Sequence, residues 1–188
     1  MHTTRDLLLD AAADAVLSGA EWDRVRMVDV ARAAGVSRQT LYVEFGSRDA
    51  LAQALAMREA QRFMDGADAA RAGHEGTPGE AIAAACEWTL TEAASNPLLK
   101  AVLTDDTGSL LPLLTTRAEA LLTATREHCA AYLSGRWPDL DRGLVLLVAE
   151  AVNRLTLSHL VLPGGRPDEV AADLARLVDS LLPGKSQP

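Results

Sequence analysis

The stretch Val28-Asp29-Val30-Ala31-Arg32-Ala33-Ala34-Gly35-Val36-Ser37-Arg38-Gln39-Thr40-Leu41-Tyr42-Val43-Glu44-Phe45 decides the fold. Val30, Ala31 and Ala34 fall at i, i+1 and i+4, the apolar stripe of a short helix. Gly35 follows where that helix must stop and reverse, because a left-handed backbone costs glycine almost nothing. Val36 is expected as a buried plug between two helices. Ser37 is a strong N-cap for the second, whose Leu41 and Phe45 recur at i, i+4 on its inner face. Arg38, Gln39 and Thr40 are left projecting from the first turn. A packing helix, a glycine turn and a second helix with polar groups at its N-terminus is the layout of a DNA-reading helix-turn-helix.

A purely structural helical hairpin has the same outline, and the charges separate the two. Between positions 24 and 48 five arginines (Arg24, Arg26, Arg32, Arg38, Arg48) stand against two acids (Asp29, Glu44) in a chain of net charge −8. A basic window in an acidic protein attracts phosphate without making the whole molecule adhesive. Arginine number alone carries no such message. The chain has 16 arginines and 2 lysines (Lys100, Lys185) beside abundant alanine, as a coding bias would give.

Other segments extend the pattern: Leu8-Leu9-Asp10-Ala11-Ala12, Val30-Ala31-Arg32-Ala33-Ala34-Gly35-Val36-Ser37, Thr40-Leu41-Tyr42-Val43-Glu44-Phe45, Ser47-Arg48 and Leu51. Over roughly the first fifty residues the chain resembles the tetracycline-repressor-like (TetR) regulators, and beyond them the likeness is architectural. The resemblance implies a DNA-binding domain over 1–47 and a helical domain over 48–188 that takes up an effector and dimerises. It implies a repressor released when a small molecule enters the body and shifts the fourth helix. It also implies that Tyr42 contacts phosphate, although its ring would serve in the core as well.

Four departures from the family pattern stand out. The family's threonine cap on the second helix is replaced around Val25 and Arg26, so Arg26 is expected to meet phosphate by charge. Gln39 stands where glycine is common and should tune operator choice. Glu44 stands where the family often has histidine; an acid there repels phosphate, and a surface pair with Arg48 at i+4 is expected. Arg48 replaces a lysine, and either cation holds a phosphate. The DNA-binding set is therefore Arg26, Ser37, Arg38, Gln39, Thr40, Tyr42 and Arg48. Arginine matches guanine O6/N7, glutamine matches adenine N6/N7, and threonine meets a thymine methyl.

Composition fixes the class. Hydrophobic residues make up 48% of 188 residues and aromatics 4%, so the core is alanine, leucine and valine, which suits closely packed helices. An all-α fold is expected, with a three-helix helix-turn-helix domain followed by a helical ligand-binding and dimerisation domain. No basic start with an apolar run opens the chain, and no apolar stretch is expected to reach the roughly 18 residues of a membrane span. A soluble, cytoplasmic protein is the expectation. Cys86 and Cys129 lie in apolar helical stretches without CxxC spacing, as buried thiols or, second, a redox pair.

Taken in order, helix one starts at Thr3 or Thr4 and buries Leu8, Leu9, Ala12, Val16 and Leu17. Trp22 packs on the domain's apolar underside. A fourth helix runs from Arg48 into the low sixties or beyond; Gly66 to Gly76 weakens, and Ala72-Gly73-His74-Glu75-Gly76 reads as the loop. Thr77-Pro78-Gly79-Glu80 is a capping box with proline at N1, and Asn96-Pro97 repeats the cap-then-proline device. Asp105 to Pro112 reads as a turn region. A long helix follows from about Thr115 to Leu133. In the last two helices Leu144, Leu147, Ala151 and Leu155, then Leu174, Leu177 and Leu181, recur at 3–4 spacing beside a second apolar face. That surplus suggests a homodimer closed as a four-helix bundle, against a larger intramolecular core.

Polar residues that could meet an effector are Trp88, Thr91, His128, Tyr132, Asn153, Thr156 and His159, each with an ordinary core or surface role as the alternative. The effector is expected to be small and hydrophobic. No nucleophile elbow, HExxH, phosphate loop or metal spacing is present, so no enzyme, cofactor or metal site is expected. The Asp105-Asp106 pair fits a loop better than catalysis. The function implied is a ligand-responsive repressor on a palindromic operator. The other reading is a helical protein-interaction module that has lost DNA binding.

Overall fold

The computed structural model describes residues 2–104 and 110–182. The Asp105-Asp106 pair, most of the 105–112 turn region and Lys185 lie outside the described residues. Among those described there are nine α-helices and no strand: α1 Thr4–Leu17, α2 Met27–Ala33, α3 Arg38–Phe45, α4 Arg48–Arg71, α5 Pro78–Ser95, α6 Pro97–Leu103, α7 Glu119–Arg136, α8 Arg142–Val161 and α9 Pro167–Leu181. They form two compact units, Met1–Glu59 with Asn96–Ala118, and Ala60–Ser95 with Glu119–Pro188.

In the first unit, α1 begins on a complete capping box. The Asp6 N–H donates to Thr3 Oγ1 at 3.1 Å, and the Thr3 N–H donates to Asp6 Oδ2 at 2.9 Å. The Thr3 N–H foremost, and then the Thr3 hydroxyl, which donates to the same Asp6 oxygen at 2.8 Å, hold the Asp6 carboxyl below its ordinary pKa of 3.8. Leu8, Leu9, Ala12 and Val16 are buried with Trp22, Met27, Val30, Ala31, Leu41, Phe45, Leu51, Leu55 and Leu98. Leu17 is a correction: it stands exposed, because the helix ends at Ser18 before its face turns inward. Trp22 is buried as expected.

The α2–α3 turn follows from Gly35, whose φ is 68°. The Gly35 N–H donates to Arg32 O and the Val36 N–H to Ala31 O, closing two carbonyls of α2 in a Schellman motif. Val36 is half-buried against the core rather than a sealed plug. α6 is capped by Asn96, which accepts the Leu99 N–H at 2.9 Å, and it packs on α1 within this unit.

In the second unit α5 packs on α9, and α7 on α8. The Thr77–Glu80 capping box is present, and Asp179 of α9 strengthens it. One Asp179 oxygen accepts the Gly79 N–H at 2.8 Å and the other accepts the Thr77 hydroxyl at 2.9 Å. A carboxylate at a helix N-terminus meets both unpaired N–H groups and the positive end of the dipole. α7 begins at Glu119, later than expected, and α8 is capped by Asp141, which accepts the Leu144 N–H at 2.8 Å.

Two further expectations are corrected here. α4 does not weaken at Gly66 but continues to Arg71. A Cβ at Gly66 would come within 1.9 Å of the Trp88 ring, so this glycine is where the indole lies against the helix. Phe63 meets the same indole edge to face, with ring centroids 6.0 Å apart. α8 is, by length and composition, apolar enough to cross a membrane, with mean hydropathy 1.5. Glu150 and Arg154 pair at 2.5 Å on it, and Val145, Val148, Ala149 and Val152 are buried in the unit's core.

Candidate nucleic-acid interface

The second helix of the helix-turn-helix, α3, is set by its cap. Ser37 accepts the Thr40 N–H at 3.0 Å and shares a 2.8 Å hydrogen bond with the Thr40 hydroxyl. Leu41 and Phe45 are buried, which turns the opposite face outward. At about 100° per residue that outward face is centred on Gln39 and Val43, with Thr40 about 60° to one side and Tyr42 about 100° to the other. Arg38 lies further round and is exposed because it opens the helix. Thr40 is half-buried, and its hydroxyl is tied to Ser37. Val43 is 81% exposed and was absent from the sequence-based set, although a helical wheel drawn from Leu41 and Phe45 points to it.

The arginines differ in how they are held. Arg24 pairs with Glu21 at 2.8 Å, Arg26 with Asp29 at 2.7 Å and Arg32 with Asp29 at 3.3 Å. These are exposed pairs worth about 0–1 kcal/mol each, so a phosphate can compete for the guanidinium. Arg26 is the N-cap residue of α2 and its side chain makes no cap bond to the helix, as the missing threonine implies. Arg38 has no carboxylate partner among the described residues; its guanidinium lies 5.1 Å above the Tyr42 ring centroid.

Arg48 and Glu44 are not paired with each other, which corrects the i+4 expectation. Arg48 donates to the Asp23 backbone carbonyl and to Asp23 Oδ1 at 3.0 Å, tying the start of α4 to the Trp22–Arg24 turn. Arg5 Nη1 donates to Glu44 Oε1 at 2.9 Å, and its guanidinium lies 4.7 Å from the Phe45 ring centroid. The pair joins residues 39 apart in sequence. No local pattern in α3 could have revealed it.

Of the residues considered for an effector, His128, Tyr132 and Asn153 come together round Arg71 and Cys129. Thr91 is exposed. Trp88 lies on Gly66 and Phe63. Asn153 donates to Ala149 O at 2.7 Å, and the Thr156 hydroxyl lies 3.6 Å from Cys86 Sγ. His159 lies against Gly164, its Nδ1 buried without a partner. Tyr132 carries the Arg71 guanidinium 3.6 Å above its ring centroid. Arg71, only 3% exposed, bonds to Asp68, and His128 Nε2 lies 3.0 Å from the same carboxylate. Burial works to raise the Asp68 pKa, but the hydrogen bonds from Arg71 and His128 outweigh it and hold the carboxyl below the usual value.

Both cysteines are free and buried. Burial pushes the Cys129 thiol up to about 11, against the weaker pull of Arg71, and raises Cys86 as well. Thiols so held stay protonated and unreactive near neutral pH. No group of three histidine, cysteine or acidic side chains able to hold a metal occurs among the described residues.

The leucines considered for self-association divide. Leu147 is 61% exposed, and Leu155, Leu177 and Leu181 are exposed beside Leu146. Leu144 and Ala151 are half-buried. Leu174 is 4% exposed and packs with Cys86, Leu90, Val170 and Ala171, so it belongs to the unit's own core and not to a free face.

Comparison with known proteins agrees with this arrangement. Residues 8–55 match the family described as bacterial regulatory proteins, tetR family, and residues 78–180 match the bacterial tetracyclin repressor, C-terminal domain. The chain is 37% identical over 175 residues to the HTH-type transcriptional regulator AlkX of Mycobacterium tuberculosis, covering 93% of this chain and 82% of that protein. It is similar to the crystal structure of the TetR family repressor AlkX from Dietzia sp., implicated in biodegradation of n-alkanes. There the TM-score is 0.77 at 32% identity, over 95% of this chain and 94% of that one. The R. erythropolis repressor QsdR, at 20% identity and TM-score 0.66 over 98% and 97% of the two chains, shares the fold. The helix-turn-helix with its outward polar row and the helical second unit thus have one source: the chain belongs to the TetR family of helix-turn-helix transcriptional regulators.

Proposed function

We propose that this regulator is a cytoplasmic repressor that binds a palindromic operator as a homodimer. Residues 1–47 read the DNA, and residues 48–188 dimerise and receive a small hydrophobic effector whose binding releases the operator. The observation that carries the DNA-reading part is Arg38. It is the arginine of the basic window with no carboxylate partner among the described residues, and it is exposed at the start of α3, next in sequence to Gln39. A guanidinium free of carboxylates has no competing charge to surrender before it meets a guanine edge. Arg26 supplies phosphate contacts by exchanging Asp29 for the backbone, and Tyr42 adds its hydroxyl; Arg48 holds the start of α4 in place for the same face.

The homodimer is supported by the exposed Leu147 and Leu155 of α8 and Leu177 and Leu181 of α9. Leucines spaced along two helices bury well against their own symmetry copies in a four-helix bundle, with a two-fold axis that calls for a palindromic operator. The hydrophobic effector is supported by the Dietzia relative's link to n-alkane degradation.

Mobility-shift titration of the full chain against duplex from its own upstream region tests the reading. Binding should weaken steeply with salt as phosphate contacts release counterions. No binding at low salt would leave the interaction-module reading in its place.

A further inference from the structure

We infer that Val43 reads the C5-methyl group of a thymine in each operator half-site. The inference rests on α3 being the DNA-reading helix and adds the chemistry of one contact. In α3 the other large aliphatic and phenyl side chains, Leu41 and Phe45, are buried, whereas Val43 is 81% exposed. It lies roughly 180° around the helix from the midpoint of those two and one turn beyond Gln39, on the line that projects furthest from the domain.

A β-branched residue there has no core contact to make and offers a helix no propensity advantage over alanine. Its chemistry does match one feature of a major groove. Thymine is the base that presents an apolar group there, and two methyl-bearing surfaces in contact exclude water from both. Gln39, one turn earlier, matches adenine N6/N7, so the two side chains suit neighbouring A·T pairs. Thr40, the residue sequence reading would assign to a thymine methyl, is half-buried, so its single methyl is less accessible than the two of Val43. Val43 takes that role instead.

The test uses the full chain and a duplex enriched by selection from a random library. Each thymine of the enriched site is replaced in turn by deoxyuridine, which deletes only the methyl group. At one position per half-site the unaltered protein should lose about fourfold in affinity, the equivalent of one buried methyl. Val43→Ala should bind the thymine and uracil duplexes equally at that position and keep its sensitivity to changes elsewhere. Val43→Thr, which retains one methyl, should keep a reduced preference for thymine. An enriched duplex whose uracil substitutions cost nothing, or cost the same in Val43→Ala, overturns this inference and leaves DNA reading by α3 standing. Failure to enrich any duplex overturns both.

Discussion

Arg5 and Glu44 form a 2.9 Å ion pair that ties the first turn of α1 to the last turn of the DNA-reading helix. In the proposed DNA complex the carboxylate would approach phosphate, and Arg5 neutralises it. Both side chains are partly exposed, so the pair contributes at most about 1 kcal/mol to folding. Its weight falls on binding. Arg5→Ala should lower operator affinity about tenfold or less through the unmasked charge, and Glu44→Gln should raise it. In the double variant the Arg5 loss should shrink. Fluorescence-anisotropy titrations of the four proteins at one salt concentration check the cycle.

Gly66 reverses an ordinary expectation. In an exposed helix interior, glycine to alanine stabilises by roughly 0.5–1 kcal/mol. Here the new methyl would come within 1.9 Å of the Trp88 ring, so Gly66→Ala should destabilise instead, by about 1–3 kcal/mol. Urea unfolding gives the sign, and a shifted tryptophan emission maximum would show the indole displaced.

Leu147 and Leu174 separate association from folding. Leu174→Ala removes a core side chain and should cost about 2–5 kcal/mol of stability. Leu147→Arg should leave the protomer's helicity intact while shifting sedimentation towards the monomer. A Leu147→Arg protein that still sediments as a dimer would remove α8 from the interface.

Acid should loosen the second unit through Asp68. Its folded pKa is depressed, so its contribution is fully present above the unfolded value near 3.8 and is lost as pH falls through the folded value. Asp6 adds the same sign in α1. Asp68→Asn should flatten the acid limb of a stability–pH profile. At neutral pH it should cost about 2 kcal/mol, because the buried Arg71 loses a charged hydrogen-bond partner.

The buried thiols predict silence. Cys86 and Cys129 should resist a thiol reagent at pH 7–8 and both react after denaturation, as a colorimetric thiol count would show. Rapid labelling of either in the folded protein would contradict their burial.

The helix-turn-helix was legible because its signals are local: Gly35 needs a positive φ, Ser37 bonds three residues ahead, and Leu41 and Phe45 share a face. The Thr77 and Asn96 caps were legible for the same reason. What escaped was set at a distance. Glu44 is claimed by Arg5 rather than Arg48, and α4 survives Gly66 because Trp88 needs that space. The phase of α9 left Leu174 indistinguishable from Leu177 until α5 fixed which side faces inward. Val43 was hidden by an emphasis on polar side chains, although its angle on the helix was calculable.

Base reading by the exposed start of α3 is what the proposed function depends on. It is tested most directly by measuring the affinity of the unaltered chain and of the Arg38→Ala, Gln39→Ala double variant for the selected operator and for a scrambled duplex. Affinity for the operator should fall about a hundredfold or more, since two base contacts are removed, and affinity for scrambled DNA much less. Operator affinity left unchanged by the double substitution would contradict it.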